Sequence, residues 1–129
     1  AIENEGLYCS SALTCLNFPK LQKIGKLSLC CTGMIKVAIL NNVTSLSIQA
    51  FKHCIGLRYV QMDKLTQIKK QTFQSCMSLQ RAIFHSVAKI GSEAFFDCYS
   101  LSYMEIPQIK VVSDAQIKSK ESIIFSPPA

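Results

Sequence analysis

A 22-residue period runs through the chain and constrains its fold more than any other feature. Residues 90–107 read IGSEAFFDCYSLSYMEIP, and residues 2–19, four periods earlier, read IENEGLYCSSALTCLNFP, with Ile, Glu, Leu and Pro in the same register. Repetition at this length is typical of solenoids, in which each repeat forms one structural unit. The period therefore predicts that the chain is built from repeated structural units.

Five columns of the repeat are apolar. With Ile2 as position 1, they are positions 1, 6, 12, 17 and 20, which in the third unit hold Leu46, Phe51, Leu57, Met62 and Leu65. A single unit cannot bury its own apolar face, so we predict that the units stack into one solenoid over residues 1–129. The period gives five full units and a partial C-terminal cap: 2–23, 24–45, 46–67, 68–89, 90–111 and 112–129.

The pattern inside a unit predicts its local structure. Alternation in stretches such as LRYVQM at 57–62 indicates a short strand with one face buried. The segment ahead of the strand, such as GSEAFFDC at 91–98, is long enough for one or two helical turns. We therefore predict an α/β repeat solenoid, a leucine-rich-repeat-type stack of short parallel strands with short helical segments. Strands are expected near 13–18, 35–40, 57–62, 79–84 and 101–106.

The unit at 90–107 resembles the repeat of the BspA-like leucine-rich repeat family. That pattern is roughly Ile-Gly, two residues, Ala-Phe, two residues, Cys, two residues, Leu, two residues, Ile or Val, one residue, Ile-Pro. The resemblance extends over the whole chain, is good at 46–62 and is weaker at 2–45, where Ser10 and Thr32 replace the cysteine. It implies a right-handed solenoid used for protein binding. It also implies a cell-surface or secreted protein, with adhesion as the usual role and a cytoplasmic location as the alternative.

The cysteines divide into two groups. Cys54, Cys76 and Cys98 recur at the period on the inward side of the predicted helical segment, where a thiol acts as a small apolar filler. Parallel side-chain directions make the disulfide torsion between stacked neighbours hard to reach. An odd total of seven leaves at least one free thiol, which favours a reducing compartment. Four cysteines lie off this column, namely Cys9, Cys15, Cys30 and Cys31. Of these, Cys30 and Cys31 are adjacent and are not expected to form a disulfide with each other.

Catalysis and metal binding are not predicted. His53 and His85 are the only histidines, and neither belongs to a paired Cys-x-x-Cys or His-x-x-x-His spacing. Cys76 and His85 are conceivable as nucleophile and base, but Cys76 should point to the core and His85 to solvent. We therefore expect no enzyme activity, no metal and no cofactor.

Positive charge is concentrated in the middle of the chain. Residues 16–90 hold eleven Lys or Arg and one acid, whereas the ends hold three bases and seven acids. Lys36, Arg58 and Arg81 are expected at neighbouring strand positions. This distribution fits a solvated surface or recognition of an acidic partner, while nucleic acid is less favoured because aromatics are not interleaved with the loop bases. The loops between strand and helix are expected to hold Lys20, Lys23, Lys26, Lys64, Lys69, Lys70 and Lys89.

The outward positions of the predicted sheet, 14 and 16 of each unit, are the candidate binding site. The five predicted strands at ~4.8 Å spacing would give a face roughly 20 to 25 Å across. Aromatic, aliphatic and Arg side chains are typical of interface hot spots, although such residues also suit strands for their own sake. The predicted site residues are Val37, Ile39, Tyr59, Arg81, Ile83 and Tyr103.

These observations favour a non-catalytic protein–protein recognition module, such as a segment of a cell-surface adhesin. The alternatives are an intracellular scaffold segment and a basic domain that binds nucleic acid or another acidic ligand. The chain starts without Met at a unit boundary, so we expect a piece of a longer protein, whose N-terminal coil packs on further repeats or another chain. No apolar run approaches the ~18 residues of a membrane span. Asn42 begins a three-residue glycosylation sequon, which matters only for a secreted eukaryotic chain.

Overall fold

Each 22-residue unit forms one coil of a stack. The computed structural model describes residues 1–7, 9, 14–16, 18–109, 115–117 and 123–125. Coils are numbered from residue 2, so that the third coil is 46–67. The described residues form ten short strands, which are β1 (Cys15–Leu16), β2 (Lys23–Ile24), β3 (Val37–Ile39), β4 (Ser45–Leu46), β5 (Tyr59–Gln61), β6 (Gln67–Ile68), β7 (Arg81–Ile83), β8 (Lys89–Ile90), β9 (Tyr103–Glu105) and β10 (Ile124–Phe125).

A parallel sheet of six strands runs up one side of the stack, in the order β1-β3-β5-β7-β9-β10. Its register follows the repeat, because each residue of β1, β3, β5 and β7 pairs with the residue 22 positions further on, as in Tyr59 with Arg81. The predicted parallel strands, stacked in sequence order, are confirmed. They are shorter than expected: β5 covers Tyr59–Gln61 inside the predicted 57–62, with Val60 buried between two outward residues. We call this the sheet side, positions 13 to 18 of each coil.

A second column of short strands, which the sequence analysis did not predict, lies where one coil passes into the next. There β2 pairs with β4 and β6 pairs with β8, again in parallel, and Ile2 bridges to Ile24. The inward residue of each pair is the apolar residue of position 1, for example Ile68, which is fully buried. We call this column of pairings the ladder side. Its outward residues are polar.

The predicted helical segments are wrong. The residues that the structure describes contain no helix, and each of the first five coils instead turns through two residues with positive φ. In the third coil these are Gln49 at 57° and His53 at 59°. A helix needs φ near −60° at every residue, so two left-handed residues four apart prevent one from forming. They recur at positions 4 and 8 of the first five coils: Glu5, Cys9, Leu27, Cys31, Gln49, His53, Gln71, Ser75, Glu93 and Asp97.

Hydrogen bonds between coils replace helical ones along this third side, the turn side, which comprises positions 4 to 9. The N–H of Phe51 donates to the carbonyl of Thr72 at 2.9 Å. The N–H of His53 donates to the carbonyl of Gln74 at 2.8 Å. Since these N–H groups point along the stack, they are not available for the i to i−4 bonds of a helix.

Stacked phenylalanines fill the core behind the turn side. The ring of Phe73 lies 5.2 Å from that of Phe51 and 5.3 Å from that of Phe95, both in stacked geometry. Phe84 packs against the same column at 5.7 Å from Phe73. All four side chains have no exposed surface. The position 6 column therefore joins the third, fourth and fifth coils into one core.

The cysteine column is buried as predicted, and its thiols also donate hydrogen bonds. Cys76 Sγ donates to the carbonyl of Phe51 at 3.2 Å, in the preceding coil. Cys98 donates in the same way to Phe73 at 3.2 Å. Burial raises the pKa of Cys98 to about 12, so this thiol stays protonated and able to donate. At the same position of the second coil, the hydroxyl of Thr32 donates to a carbonyl at 2.6 Å.

The two ends of the stack differ. At the N-terminal end Ile2 and Leu7 are only partly buried and Phe18 is 43% exposed, beside an open apolar depression of about 710 Å³. At the other end β10 pairs with β9, so a sixth coil continues the sheet. The Ser-Pro-Pro sequence at 126–128, within the predicted cap, lies outside the described residues.

Candidate partner-binding surface

The parallel register brings the predicted site residues onto one face. Val37 and Ile39 are 40% and 48% exposed, Arg81 is exposed, and Tyr59 and Tyr103 are half-buried. Strand pairing arranges the face in two rows, in which position 14 holds Val37, Tyr59, Arg81 and Tyr103, and position 16 holds Ile39, Gln61, Ile83 and Glu105.

Ile83 does not belong to the accessible part of this face. It was predicted as an outward contact residue, but only 4% of its surface is exposed. Its register partners are Gln61 and Glu105, which are longer. Tyr59 donates a hydrogen bond to Gln61, and Tyr103 donates one to Glu105, each at 2.7 Å. Ile83 lies between these two residues in the register and is buried, so it supports the face from below.

Arg81 and Tyr103 form the most distinctive contact on the face. The guanidinium carbon of Arg81 lies 4.6 Å from the centre of the Tyr103 ring, within cation–π range. The Tyr103 hydroxyl is held at the same time by Glu105. A planar cation, an aromatic ring and a carboxylate are thus fixed next to one another, with Arg81 exposed to solvent.

His85 links three coils at the edge where the strands end. Its Nδ1 lies 3.1 Å from Asp63 Oδ1, and its Nε2 lies 2.7 Å from Glu105 Oε2. The Tyr103 hydroxyl and the His85 ring both bind Glu105 and lower the pKa of that carboxyl. From the sequence we expected only that His85 points to solvent, and these two contacts were not predicted. The period itself held the signal, because Asp63 and His85 both occupy position 18 of adjacent coils.

The hydrogen bonds of the face join into one network. Tyr59 donates to Gln61, and Gln61 Nε2 donates to Asp63 Oδ1 at 3.2 Å, which places Asp63 between Gln61 and His85. The network therefore runs from Tyr59 in β5 to Tyr103 in β9. Side chains held in this way have less rotamer freedom to lose when a partner binds.

Opposite charges border the face on its two edges. Lys36 and Arg58 are exposed at position 13, immediately before β3 and β5. Asp63 and Glu105 lie at the other edge, where β5 and β9 end. A partner that crosses the strands would therefore meet bases on one side and carboxylates on the other.

A row of exposed apolar residues, which we call the apolar ridge, lies ahead of the basic edge. It was not predicted, because exposed positions were considered only within the predicted strands, although Ile55, Met77 and Tyr99 all occupy position 10. The contact between coils is close here, since a Cβ on Gly33 would lie 3.4 Å from Ile55. The apolar ridge consists of Met34, Ile55, Met77 and Tyr99, with exposed fractions of 49%, 51%, 44% and 68%.

Some of the basic residues predicted in loops lie in short strands instead. Lys23 and Lys89 lie in β2 and β8, with their side chains exposed on the ladder side. Lys64 lies outside the strands and donates to Asn42 Oδ1 at 3.0 Å. Asn42 is exposed, and its amide also donates to the carbonyl of Pro19 at 2.6 Å. The sequon is therefore on the surface, with its side chain already engaged.

The geometry separates the one conceivable nucleophile and base. Cys76 is buried and donates to a core carbonyl, whereas His85 contacts two carboxylates on the sheet side. In the part of the chain that the structure describes, no group of three or more His, Cys, Asp or Glu side chains could hold a metal ion. The same described residues include no helix long and apolar enough to cross a membrane.

Stacked parallel coils with a varied outward face define the chain as a repeat solenoid of the leucine-rich type. The model of the BspA type Leucine rich repeat region matches residues 1–123 in six copies. The chain therefore belongs to the BspA-type leucine-rich repeat family. Comparison with curated proteins and with solved structures finds no match. Leucine-rich repeats in general mediate protein–protein recognition, and such repeats are typically non-catalytic.

Proposed function

We propose that this chain is a non-catalytic recognition module that binds a protein partner through its sheet side. The observation that carries the proposal is the row formed by Tyr59, Arg81 and Tyr103 on three adjacent strands. Tyr and Arg are enriched among the few residues that dominate binding energies, because they combine a large contact area with polar groups. Val37 extends the same row, and Ile39 the neighbouring row at position 16, with exposed apolar surface.

The size of the face indicates how much of it a partner must cover. Six strands about 4.8 Å apart and two or three residues long give a strip of roughly 24 Å by at most about 10 Å, or no more than about 240 Å². A stable complex usually buries about 800 Å² on each partner. The partner must therefore reach beyond the strands to the bases at position 13, the apolar ridge and the His85 edge.

Site-specific crosslinking tests the proposal and supplies the partner. A photo-reactive amino acid replaces Arg81 in one protein and Lys70 in a control protein, since Lys70 is exposed near the ladder side. Both are irradiated in extracts of the source organism. We expect residue 81 to capture one protein that residue 70 does not. Equal capture at both residues, or none at residue 81, would contradict a binding site on the sheet side.

Within this function we propose that the chain is part of a cell-surface or secreted adhesin. The support is the family, whose BspA-type repeats are commonly surface-associated or secreted in bacteria. Labelling of intact cells with a membrane-impermeant reagent tests it, because a surface protein is labelled before lysis. Labelling only after lysis would favour the alternative, an intracellular scaffold segment, which the free thiols of Cys30, Cys31 and the buried column would suit.

A second candidate function is binding of an acidic ligand such as nucleic acid. It is favoured by the exposed lysines, among them Lys23, Lys26, Lys70 and Lys89. Binding of this kind weakens steeply with salt because counterions are released. Titration with single-stranded DNA at two salt concentrations tests it. Affinity that falls strongly with salt, and that is lost in Lys26→Ala and Lys70→Ala, would support this candidate over the sheet side.

We also propose that the N-terminal coil packs on further repeats or on another chain. Its support is the incompletely covered apolar surface of Ile2, Leu7 and Phe18. Replacing Phe18 by Asp should reduce any self-association of the 129-residue chain, because a charge there opposes apolar packing. Sedimentation velocity measures this. A wild-type chain that is entirely monomeric, with an ordered first coil, would count against the proposal.

A further inference from the structure

The adjacent cysteines of the second coil lie in sulfur-to-sulfur contact. Cys30 Sγ and Cys31 Sγ are 3.3 Å apart. Adjacency alone argued against pairing, since consecutive Cα atoms across a trans peptide are only about 3.8 Å apart and most disulfides need more. Here Cys31 has a left-handed φ of 63°, and the two side chains lie against one another.

The two thiols differ in accessibility. Cys30 is buried at 3% exposure, and that burial raises its pKa to about 12. Cys31 is only half-buried and is therefore the more accessible of the two residues. A thiol exchange reaction at this pair therefore begins at Cys31, and Cys30 is positioned to complete it from within the coil.

The peptide bond between the two cysteines also joins three coils. Its carbonyl, from Cys30, accepts the N–H of Cys9 in the first coil at 2.9 Å. Its N–H, from Cys31, donates to the carbonyl of Lys52 in the third coil at 3.0 Å. A change in the orientation of this one peptide plane acts on both hydrogen bonds at once.

We propose that Cys30 and Cys31 form a redox-active dithiol site that is oxidised by small-molecule disulfides to a vicinal disulfide. The Cys31 sulfur attacks one sulfur of a disulfide R–S–S–R, and the first R–SH leaves with the proton of Cys31. The Cys30 sulfur then attacks Cys31, and the second R–SH leaves with the proton of Cys30. The protein loses two protons and two electrons, and R–S–S–R is reduced to two thiols.

Closure of this ring loosens the attachment of the first coil. The sulfurs must approach from 3.3 Å to about 2.05 Å, and the resulting ring constrains the peptide plane between them. The hydrogen bonds to Cys9 and Lys52 depend on that plane. A strained disulfide is also easily reduced again, which makes the reaction reversible by ordinary thiols.

Peptide mapping after exposure of the folded chain to glutathione disulfide tests the chemistry. In the wild-type chain we expect an internal Cys30–Cys31 disulfide without retained glutathione. Cys30→Ser should instead hold one glutathione on Cys31, because nothing displaces it, and Cys31→Ser should leave Cys30 reduced. The proposal is overturned if the wild-type chain retains glutathione on Cys31 as fully as Cys30→Ser, or if Cys31 stays reduced while exposed Cys9 reacts.

Hydrogen exchange of the oxidised chain tests the structural consequence. We expect the N–H groups of Cys9 and Cys31 to exchange about two- to tenfold faster, the effect of weakening one hydrogen bond. The N–H of Phe73, which donates to Ala94 on the same turn side, is the internal control and should not change. Unchanged exchange at Cys9 and Cys31 in a chain that has formed the disulfide would refute the coupling to the first coil.

Discussion

The turn side and the sheet side follow the same 22-residue period but use it in opposite ways. On the turn side the same residue types return in successive coils, with Phe51 and Phe73 at position 6 and Cys54 and Cys76 at position 9. On the sheet side position 14 changes from Val37 through Tyr59 and Arg81 to Tyr103. Inward side chains must fit an identical neighbour above and below, whereas outward ones need only tolerate the register.

This comparison assigns stability and recognition to different sides of the coil. Removing an inward side chain from the turn side should lower the free energy of unfolding. The molecules that remain folded should bind the partner with unchanged affinity. Removing a side chain from the sheet side should mainly weaken recognition and cost little folding free energy. A substitution that mainly affects the other property would break this distinction.

The largest expected effect is that of Phe73→Ala. It removes a fully buried ring from the middle of the stack, so the free energy of unfolding should fall by ~3 to 5 kcal/mol. Tyr59→Ala is the matched aromatic control on the sheet side and should cost less than about 1 kcal/mol. Urea denaturation monitored by circular dichroism measures both. Comparable losses would remove the distinction between the two sides.

A smaller effect distinguishes two roles for the cysteine column. Cys76→Ala removes the thiol and its hydrogen bond to Phe51, which should cost about 1 to 2 kcal/mol. Cys76→Ser should cost less, because a hydroxyl at this position can also donate to a core carbonyl, as the hydroxyl of Thr32 donates to that of Leu29 in its own coil. If the thiol were only an apolar filler, Ser would cost more than Ala, since a hydroxyl is expensive to bury without a partner. The order of the two denaturation midpoints decides.

On the sheet side the expected effect is on affinity. Tyr103→Ala should weaken binding of the crosslinked partner by ~1 kcal/mol or more. It removes both the ring that contacts Arg81 and the hydroxyl that donates a hydrogen bond to Glu105. Isothermal titration calorimetry measures it, with circular dichroism as the check on folding. Unchanged affinity in a folded variant would exclude Tyr103 from the site.

The hydrogen bond from Tyr103 to Glu105 also predicts a dependence of stability on pH. The lowered pKa of Glu105 means that its carboxylate stabilises the fold above its ordinary value of 4.5, and that this contribution is lost as the pH falls through the lowered value. Tyr103→Phe keeps the ring and removes only the hydroxyl. The difference in stability between wild type and Tyr103→Phe should therefore shrink as the pH is lowered from 7 to 3. A constant difference would mean that the hydroxyl does not act through Glu105.

The smallest effect is expected for Lys70→Ala, at an exposed position near the ladder side. Its free energy of unfolding should change by less than about 0.5 kcal/mol. Its affinity for a protein partner should change mainly through the rate of association, and less so at high salt. Stopped-flow binding at two salt concentrations measures this, and a large loss that persists at high salt would move the binding site away from the sheet side.

The sequence was sufficient for those parts of the fold that depend on the period. The strand near 57–62 and its pairing with the next coil follow from apolar columns that recur every 22 residues. The turn side could not be predicted in the same way. Residues such as Gln49 and His53 adopt positive φ although they are not glycine, because hydrogen bonds to the next coil hold them there.

The candidate site was predictable as a row but not in its contacts. Alternation predicted Tyr59, Arg81 and Tyr103 at outward positions, and in the structure they pair in register on adjacent strands. The burial of Ile83 depends on how its longer neighbours fold over it, and no alternation pattern contains that information. The position of His85 was available from the period, but only its distances to the two carboxylates show that it joins three coils.

Oxidative footprinting of the partner complex tests the central claim most directly, because hydroxyl radicals modify exposed Tyr and Met side chains. The account predicts that the bound partner protects Tyr59 and Tyr103 most strongly, with weaker protection of Met77 and Tyr99 on the apolar ridge. Without partner, the order of reactivity should follow exposure, with Tyr99 at 68% most reactive. If Tyr59 and Tyr103 are modified equally with and without the partner, the sheet side is not the recognition surface.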